Sequence, residues 1–127
     1  MKKFLAALLM CSSVFAQTTI NQTMGDDGYV NVPLQFGFPF YGQTFNNSWM
    51  YDNGVVSFKQ PGTAGALSPW QWNAQPLDQA NGNYFIATLW ADIAPKAGTT
   101  TYTTQGNTQK QIYNWNSIAE YYSIWGG

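Results

Sequence analysis

Residues 30–45, VNVPLQFGFPFYGQTF, decide the fold class because apolar and polar positions alternate along them. The apolar positions are Val30, Val32, Leu34, Phe36, Phe38 and Phe40. A period of two is typical of a β-strand with one face in a core and the other facing outward. Pro33 and Pro39 lack the N–H that a neighbouring strand would accept. The segment therefore predicts a strand at a sheet edge, or one interrupted by bulges.

The flanking segments carry further strand and turn signals. Residues 17–24 predict a first strand or a flexible lead-in, and residues 25–28 predict a turn. Asn53-Gly54 between apolar runs predicts a hairpin, because both residues accept positive φ. Gly106-Asn107, between residues 99–105 and 110–116, predicts a second hairpin.

Residues 84–93, YFIATLWADI, are almost continuously apolar and predict a central strand covered on both faces. No segment shows an apolar repeat of 3.6 residues. The predicted fold class is therefore all-β, an antiparallel β-sandwich of short strands and hairpins.

The N-terminus predicts an exported protein. Lys2 and Lys3 precede a short apolar run, and residues 14–16 fit a signal-peptidase site, so we expect a signal peptide over residues 1–16 and cleavage after Ala16. The run is too short to span a bilayer, so no transmembrane segment is expected in the mature chain. Cys11 would carry lipid in a lipoprotein, but Met10 is bulky where such a site prefers a small residue.

Residues 17–127 fit one domain that contains no cysteine. An exported domain without disulfides depends on its apolar core, which favours a bacterial or bacterial-virus origin. All five basic residues of the whole chain are lysines, and removing Lys2 and Lys3 leaves three against six acidic residues, a formal charge of −3. Without arginine or a basic patch, nucleic acid is not an expected partner.

The composition also excludes several catalytic classes. Histidine is absent, and the single cysteine lies in the signal peptide, so no histidine triad, cysteine nucleophile or ordinary zinc site can form. A glycosidase needs only two carboxylates. However, the six acidic residues show no spacing that places a pair in one cleft, so we expect no enzymatic activity and no catalytic residues.

Two pairs of residues are candidates for binding. Asp26 and Asp27 offer hard oxygen ligands for calcium, although adjacent Asp and Gly are also typical of a plain turn, and no cofactor is otherwise expected. Trp70 and Trp72 lie in the loop-like segment 59–83 and would offer flat apolar faces to a sugar ring or a protein. The alternative is that this loop packs on its own tryptophans.

Four segments together resemble the nidogen-like extracellular (NIDO) domain. They are DDGYVNVPLQFGFPFYGQTF (26–45), MYDNGVVSF (50–58), IATLWADIAP (86–95) and KQIYNWNSIAEY (110–121). Their order and spacing match the family pattern over residues 26–122. The resemblance implies a secreted, non-enzymatic module associated with cell–matrix adhesion, with no catalytic residues to transfer. The strands that the family pattern places after Trp125 are missing here, so we expect either an edge at that point or a shortened copy of a longer domain.

Three functional hypotheses follow from the sequence. The first is a secreted module that mediates adhesion or binds an extracellular protein. The second is a carbohydrate-binding module that uses Trp70 and Trp72 on a glycan surface. The third is a structural accessory protein of a virion or cell envelope.

Overall fold

The computed structural model describes residues 18–64, 66–68, 84–95 and 100–120. Within them the regular structure is entirely β, in nine strands: β1 (Thr18–Gln22), β2 (Tyr29–Phe40), β3 (Gln43–Tyr51), β4 (Val55–Ser57), β5 (Phe85–Ala87), β6 (Ile93–Ala94), β7 (Thr101–Gly106), β8 (Gln111–Asn116) and β9 (Ala119–Glu120). The signal peptide expected over residues 1–16 lies outside the described ranges. The described part contains no helix with the length and apolar character of a membrane span.

The strands form a sandwich of two antiparallel sheets, which confirms the predicted fold class. The four-stranded sheet has the order β2-β3-β4-β5, and the three-stranded sheet has the order β1-β7-β8. Strands β6 and β9 form a separate antiparallel pair. Both predicted hairpins are present, as β3–β4 and β7–β8.

Strand β2 follows its sequence pattern closely. Every apolar position from Val30 to Phe40 is buried or half-buried, and the positions between them are exposed. The strand lies at the end of its sheet and also carries a bulge. Pro33 pairs with Asn47 and Phe38 pairs with Phe45, so residues 34–37 face Asn46 alone. Strand β2 therefore has both features that the prolines predicted as alternatives, an edge position and a bulge.

The two sheets meet around a small core. Met24, Val32, Met50 and Tyr102 form one buried cluster, with Val30, Tyr113 and Trp115 packed against it. Among the described residues, two polar contacts that cross between the sheets involve β8. The hydroxyls of Ser48 and Tyr113 lie 2.6 Å apart, and the Trp115 indole N–H donates to the carbonyl of Tyr51 at 2.7 Å. These bonds fix β8 over the four-stranded sheet.

The β3–β4 turn differs from the sequence prediction in its geometry. Only Gly54 has positive φ, at 76°, whereas positive φ was also expected at Asn53. The turn is fully buried, with Asp52 0% and Asn53 1% exposed. The Asn53 Oδ1 accepts a hydrogen bond from the N–H of Ile93 at 2.8 Å, so this side chain serves a distant segment.

The predicted central strand over residues 84–93 is wrong. Strand β5 covers only Phe85–Ala87, no described strand lies beyond it, and Ile86 and Leu89 are 39% and 53% exposed. The chain then bends around the β3–β4 turn, because the carbonyl of Gly54 accepts hydrogen bonds from the N–H groups of Thr88 and Leu89. The apolar residues of this segment pack against a turn. An apolar run in the sequence does not by itself distinguish such a segment from a central strand.

Candidate functional site

A groove with an apolar floor lies between the sheets, next to β8. Its volume is about 410 Å³. The floor belongs to the four-stranded sheet and comprises Leu34, Phe36, Phe38, Val56, Phe58 and Ile86. One wall is formed by β8, through Gln111, Tyr113 and Trp115. We call this feature the aromatic groove.

The floor follows directly from the alternation in β2. Phe36 and Phe38 lie two positions apart and point to the same face of the sheet. The Phe38 ring stacks on Phe58, which directly follows β4, with ring centroids 4.9 Å apart and planes inclined by 22°. Phe45 also contacts Phe58, at 5.4 Å between centroids. The bulge in β2 places Phe38 opposite Phe45.

The wall is held by hydrogen bonds at its polar atoms. The Tyr113 hydroxyl bonds to Ser48, and the Trp115 indole bonds to the Tyr51 carbonyl, so the aromatic faces of both residues are available to pack in the groove. Burial raises the pKa of Tyr113, while the Ser48 hydrogen bond lowers it. Tyr113 therefore acts as a neutral anchor at physiological pH.

The floor extends beyond the cover that β8 provides. Ser48 and Tyr51, which β8 contacts, belong to β3. Val56 and Ile86 lie on β4 and β5, farther along the sheet, and Ile86 is 39% exposed. No described strand of the three-stranded sheet lies beyond β8. Within the β4–β5 half of the floor, Ile86 is therefore in contact with solvent, whereas Val56 is buried, at 3% exposed.

One cation lines the groove. Lys110 is exposed and precedes β8, in a turn fixed by Asn107, whose Oδ1 accepts hydrogen bonds from the N–H groups of Gln109 and Lys110. Within the described residues its ammonium has no acidic partner. The other described lysine, Lys59, is differently placed: its Nζ lies 5.1 Å from the Tyr84 ring centroid and 3.5 Å from the Ala64 carbonyl.

A second feature, the acidic corner, brings together Asp26, Asp27, Asp52 and Asp92. The Asp52 N–H donates to the carbonyl of Gly28 at 3.1 Å, which holds the turn at residues 25–28 against the β3–β4 hairpin. Asp92 is held near this corner because the residue that follows it, Ile93, donates a hydrogen bond to the Asn53 side chain. Partial burial, and then the charges of Asp27 and Asp92, raise the pKa of Asp26. Partial burial, and then the charge of Asp27, raise the pKa of Asp92.

Asp52 is the buried member of this corner. Its Oδ1 accepts from the Asn53 N–H at 2.8 Å, but its Oδ2 and the hydroxyl of buried Tyr102 have no hydrogen-bond partner within the described structure. Burial raises the pKa of Asp52 to about 7, against the effect of the N–H groups of Asn53 and Gly28. Burial, and then the charges of Asp52 and Asp26, raise the pKa of Tyr102 to about 12.

The residues singled out in the sequence fare differently. Trp70 and Trp72 lie outside the described residues, so their role stays a prediction. Asp26 and Asp27 form the expected turn, in which the Gly28 N–H donates to the carbonyl of Gly25 at 3.0 Å. Calcium binding there also stays a prediction. Across the described ranges, no three acidic, cysteine or histidine side chains are grouped to hold a metal ion.

Sequence reasoning missed the aromatic groove and the burial of Asp52. The alternation in β2 identified the floor residues but assigned them to a closed core. Placing a groove there requires the position of β8, which depends on two long-range hydrogen bonds. For Asp52, a signal was available: its neighbours on both sides are strongly apolar runs.

The comparisons with known proteins give one match. A family model described as NIDO related matches residues 10–124. No curated protein and no solved structure matches the chain.

Proposed function

Because the chain belongs to the NIDO-related family, we propose that it is a secreted, non-enzymatic module that binds an extracellular protein partner in the aromatic groove, as an adhesion module does. Family membership confirms the resemblance seen in the sequence and indicates an extracellular type of domain. The signal peptide expected over residues 1–16 supports export. The absence of histidine from the chain supports a function without acid–base catalysis by that residue.

The aromatic groove is the observation that carries this proposal. Its volume is about 410 Å³, and its lining is mainly aromatic and aliphatic with few polar groups. Aromatic side chains supply much of the binding energy at protein interfaces. The groove is open to solvent at Ile86, which is 39% exposed, so a partner could reach its apolar floor.

The test is a selection of peptides on the purified full chain, using a displayed library of random sequences. We expect the selected peptides to be rich in apolar residues. The variant Ile86→Ser, which changes an exposed floor residue, should weaken their binding at least tenfold. The matched control is Ile20→Ser, because Ile20 is 51% exposed and lies on β1, outside the groove.

Both variants replace an exposed strand isoleucine, so both should fold. Circular dichroism and thermal unfolding of each variant check this point. Equal binding by wild type and Ile86→Ser would refute the groove as the binding site, as would equal losses in the two variants.

A further inference from the structure

The two sheets have unequal widths in the described structure, and the difference falls at the aromatic groove. Four strands form one sheet and three form the other. Strand β8 pairs with β7 on one side, and no described strand pairs with its other side. That unpaired edge borders the β4–β5 half of the floor, where Ile86 is exposed. A strand added to β8 would cover this half of the floor and give both sheets the same width.

The edges of the sandwich differ in how they are protected. Strand β2 carries Pro33 and Pro39, and proline at an edge opposes the addition of another strand. Strand β8, with the sequence QIYNWN, contains neither proline nor charge. Strands β1 and β5 share this property, but β1 lies outside the groove and β5 has only three residues. Among the described edges, β8 therefore combines a side that no described strand pairs with and a neighbouring exposed apolar residue, Ile86.

The dimensions of β8 define what an added strand would look like. Six paired residues span about 20 Å and direct three side chains into the groove. Strand addition of this kind obtains affinity from main-chain hydrogen bonds and specificity from pockets for alternate side chains. The floor of Phe38, Phe58 and Ile86 suits apolar side chains at those positions.

Charge specifies one further property of the occupant. Lys110 stands at the start of β8 without an acidic partner in the described structure, in a domain whose formal charge is −3 after signal cleavage. Lys59, by contrast, already contacts the Tyr84 ring. An acidic side chain near the end of an added strand would lie beside Lys110, where it would fix the register more than it would raise the affinity.

We propose that the partner is a protein segment in extended conformation that pairs with the free edge of β8, directs alternate apolar side chains into the aromatic groove and places one acidic side chain beside Lys110. This inference rests on the proposed function and specifies the partner. It predicts that alternate residues of the ligand point into the groove, and that a single acidic residue sets the register of the ligand on β8.

The first experiment uses one peptide selected from the random library on the full chain. Each of its backbone amides is N-methylated in turn, and the affinity of each product is measured by calorimetry. N-methylation removes a hydrogen-bond donor, so an added strand should lose affinity at alternate positions, at least tenfold, and tolerate the change at the positions between. Uniform losses, or losses repeating every three to four residues, would overturn strand addition.

The second experiment tests the acidic contact. Lys110→Gln should weaken the same peptide about threefold to tenfold, and replacing the peptide's acidic residue by its amide should cause no further loss in that variant. Lys59→Gln is the matched control, since it removes the same charge outside the groove, and it should leave the affinity unchanged. Equal effects of the two lysine variants would overturn the assignment of Lys110.

The third experiment separates a protein partner from a lipid-like one. Sodium dodecanoate carries an apolar chain and one anionic group, so it could occupy the groove as a small amphiphile. We expect it to bind more weakly than the selected peptide. Tight, Lys110-dependent binding of dodecanoate with no selectable peptide would overturn the inference. If Ile86→Ser abolishes peptide binding but the methylation pattern and the Lys110 effect are missing, this inference fails while the proposed function stands.

Discussion

At the residue scale, Asp52 shows how a buried carboxyl can sit in a turn. The turn needs a side chain that accepts a hydrogen bond from the Asn53 N–H, and Asp provides it through Oδ1. The second oxygen is buried without a hydrogen-bond partner among the described residues, and burial raises the pKa of Asp52 to about 7. The local requirement of the turn thus conflicts with the cost of burying a charge.

This conflict predicts a pH dependence of stability. A raised folded-state pKa means that the folded protein binds the proton more tightly, so the contribution is fully present below about pH 4 and is lost as the pH rises through about 7. Asp52→Asn keeps Oδ1 and removes the charge. We expect it to be more stable than wild type at pH 8, by about 1–3 kcal/mol, and much less sensitive to pH between 5 and 8.

Thermal unfolding at pH 5 and pH 8 measures this effect. Asp26→Asn is the control, because Asp26 belongs to the same corner but is exposed. It should retain most of the wild-type pH dependence. A wild-type melting temperature that rises from pH 5 to pH 8 would contradict the raised pKa.

Gly54 allows a second prediction at this scale. Its φ of 76° favours glycine, and a Cβ at this position would lie 3.2 Å from Leu89 Cβ and 3.3 Å from the Leu89 carbonyl carbon. Gly42 has nearly the same φ, 75°, but a Cβ there would meet nothing within 4 Å. Gly42→Ala should cost about 1 kcal/mol from backbone strain alone, and Gly54→Ala about 1 kcal/mol more. Urea unfolding of both variants gives the difference, and equal losses would show that the Leu89 contact has no energetic weight.

At the element scale, the sequence predicted those strands whose patterns are local. The alternation at Phe36, Phe38 and Phe40 predicted β2, and Asn53-Gly54 predicted the β3–β4 hairpin. The prediction for residues 84–93 was wrong because Gly54 and Asn53 accept hydrogen bonds from the N–H groups of Thr88, Leu89 and Ile93. Such long-range bonds produce no periodic pattern in the sequence. The groove was not predicted for the same reason, because the position of its wall depends on the hydrogen bond from Trp115 to Tyr51.

The contact between sheets is testable through Ser48 and Tyr113. Their hydroxyls lie 2.6 Å apart, and Ser48 also donates to the Val32 carbonyl at 3.0 Å. Because Ser48→Ala removes both bonds, only a double-mutant cycle with Tyr113→Phe isolates the bond between the sheets. We expect a coupling energy of about 1 kcal/mol by urea unfolding. Tyr41→Phe, at a residue 65% exposed, is the control and should change stability little. A coupling near zero would mean that this bond adds nothing, and that the Trp115–Tyr51 hydrogen bond and apolar contacts fix β8.

At the scale of the whole molecule, charged and apolar side chains are unevenly distributed. Asp26, Asp27, Asp52 and Asp92 lie at one corner, and Glu120 lies on β9. The aromatic groove has Lys110 as its charged lining residue. Within the described residues, no large patch of one sign lies next to the groove, so we expect long-range steering of a partner to be weak.

This arrangement predicts how binding responds to salt. Raising sodium chloride from 50 to 500 mM shortens the Debye length from about 14 Å to about 4 Å and screens an exposed ion pair. It leaves apolar contacts and main-chain hydrogen bonds largely intact. The affinity of a groove-selected peptide should therefore fall less than about tenfold in wild type, and should hardly change in Lys110→Gln, whereas Lys59→Gln should respond as wild type does. Calorimetry across this range measures the effect, and a loss of a hundredfold or more would show that charge, rather than the aromatic groove, drives binding.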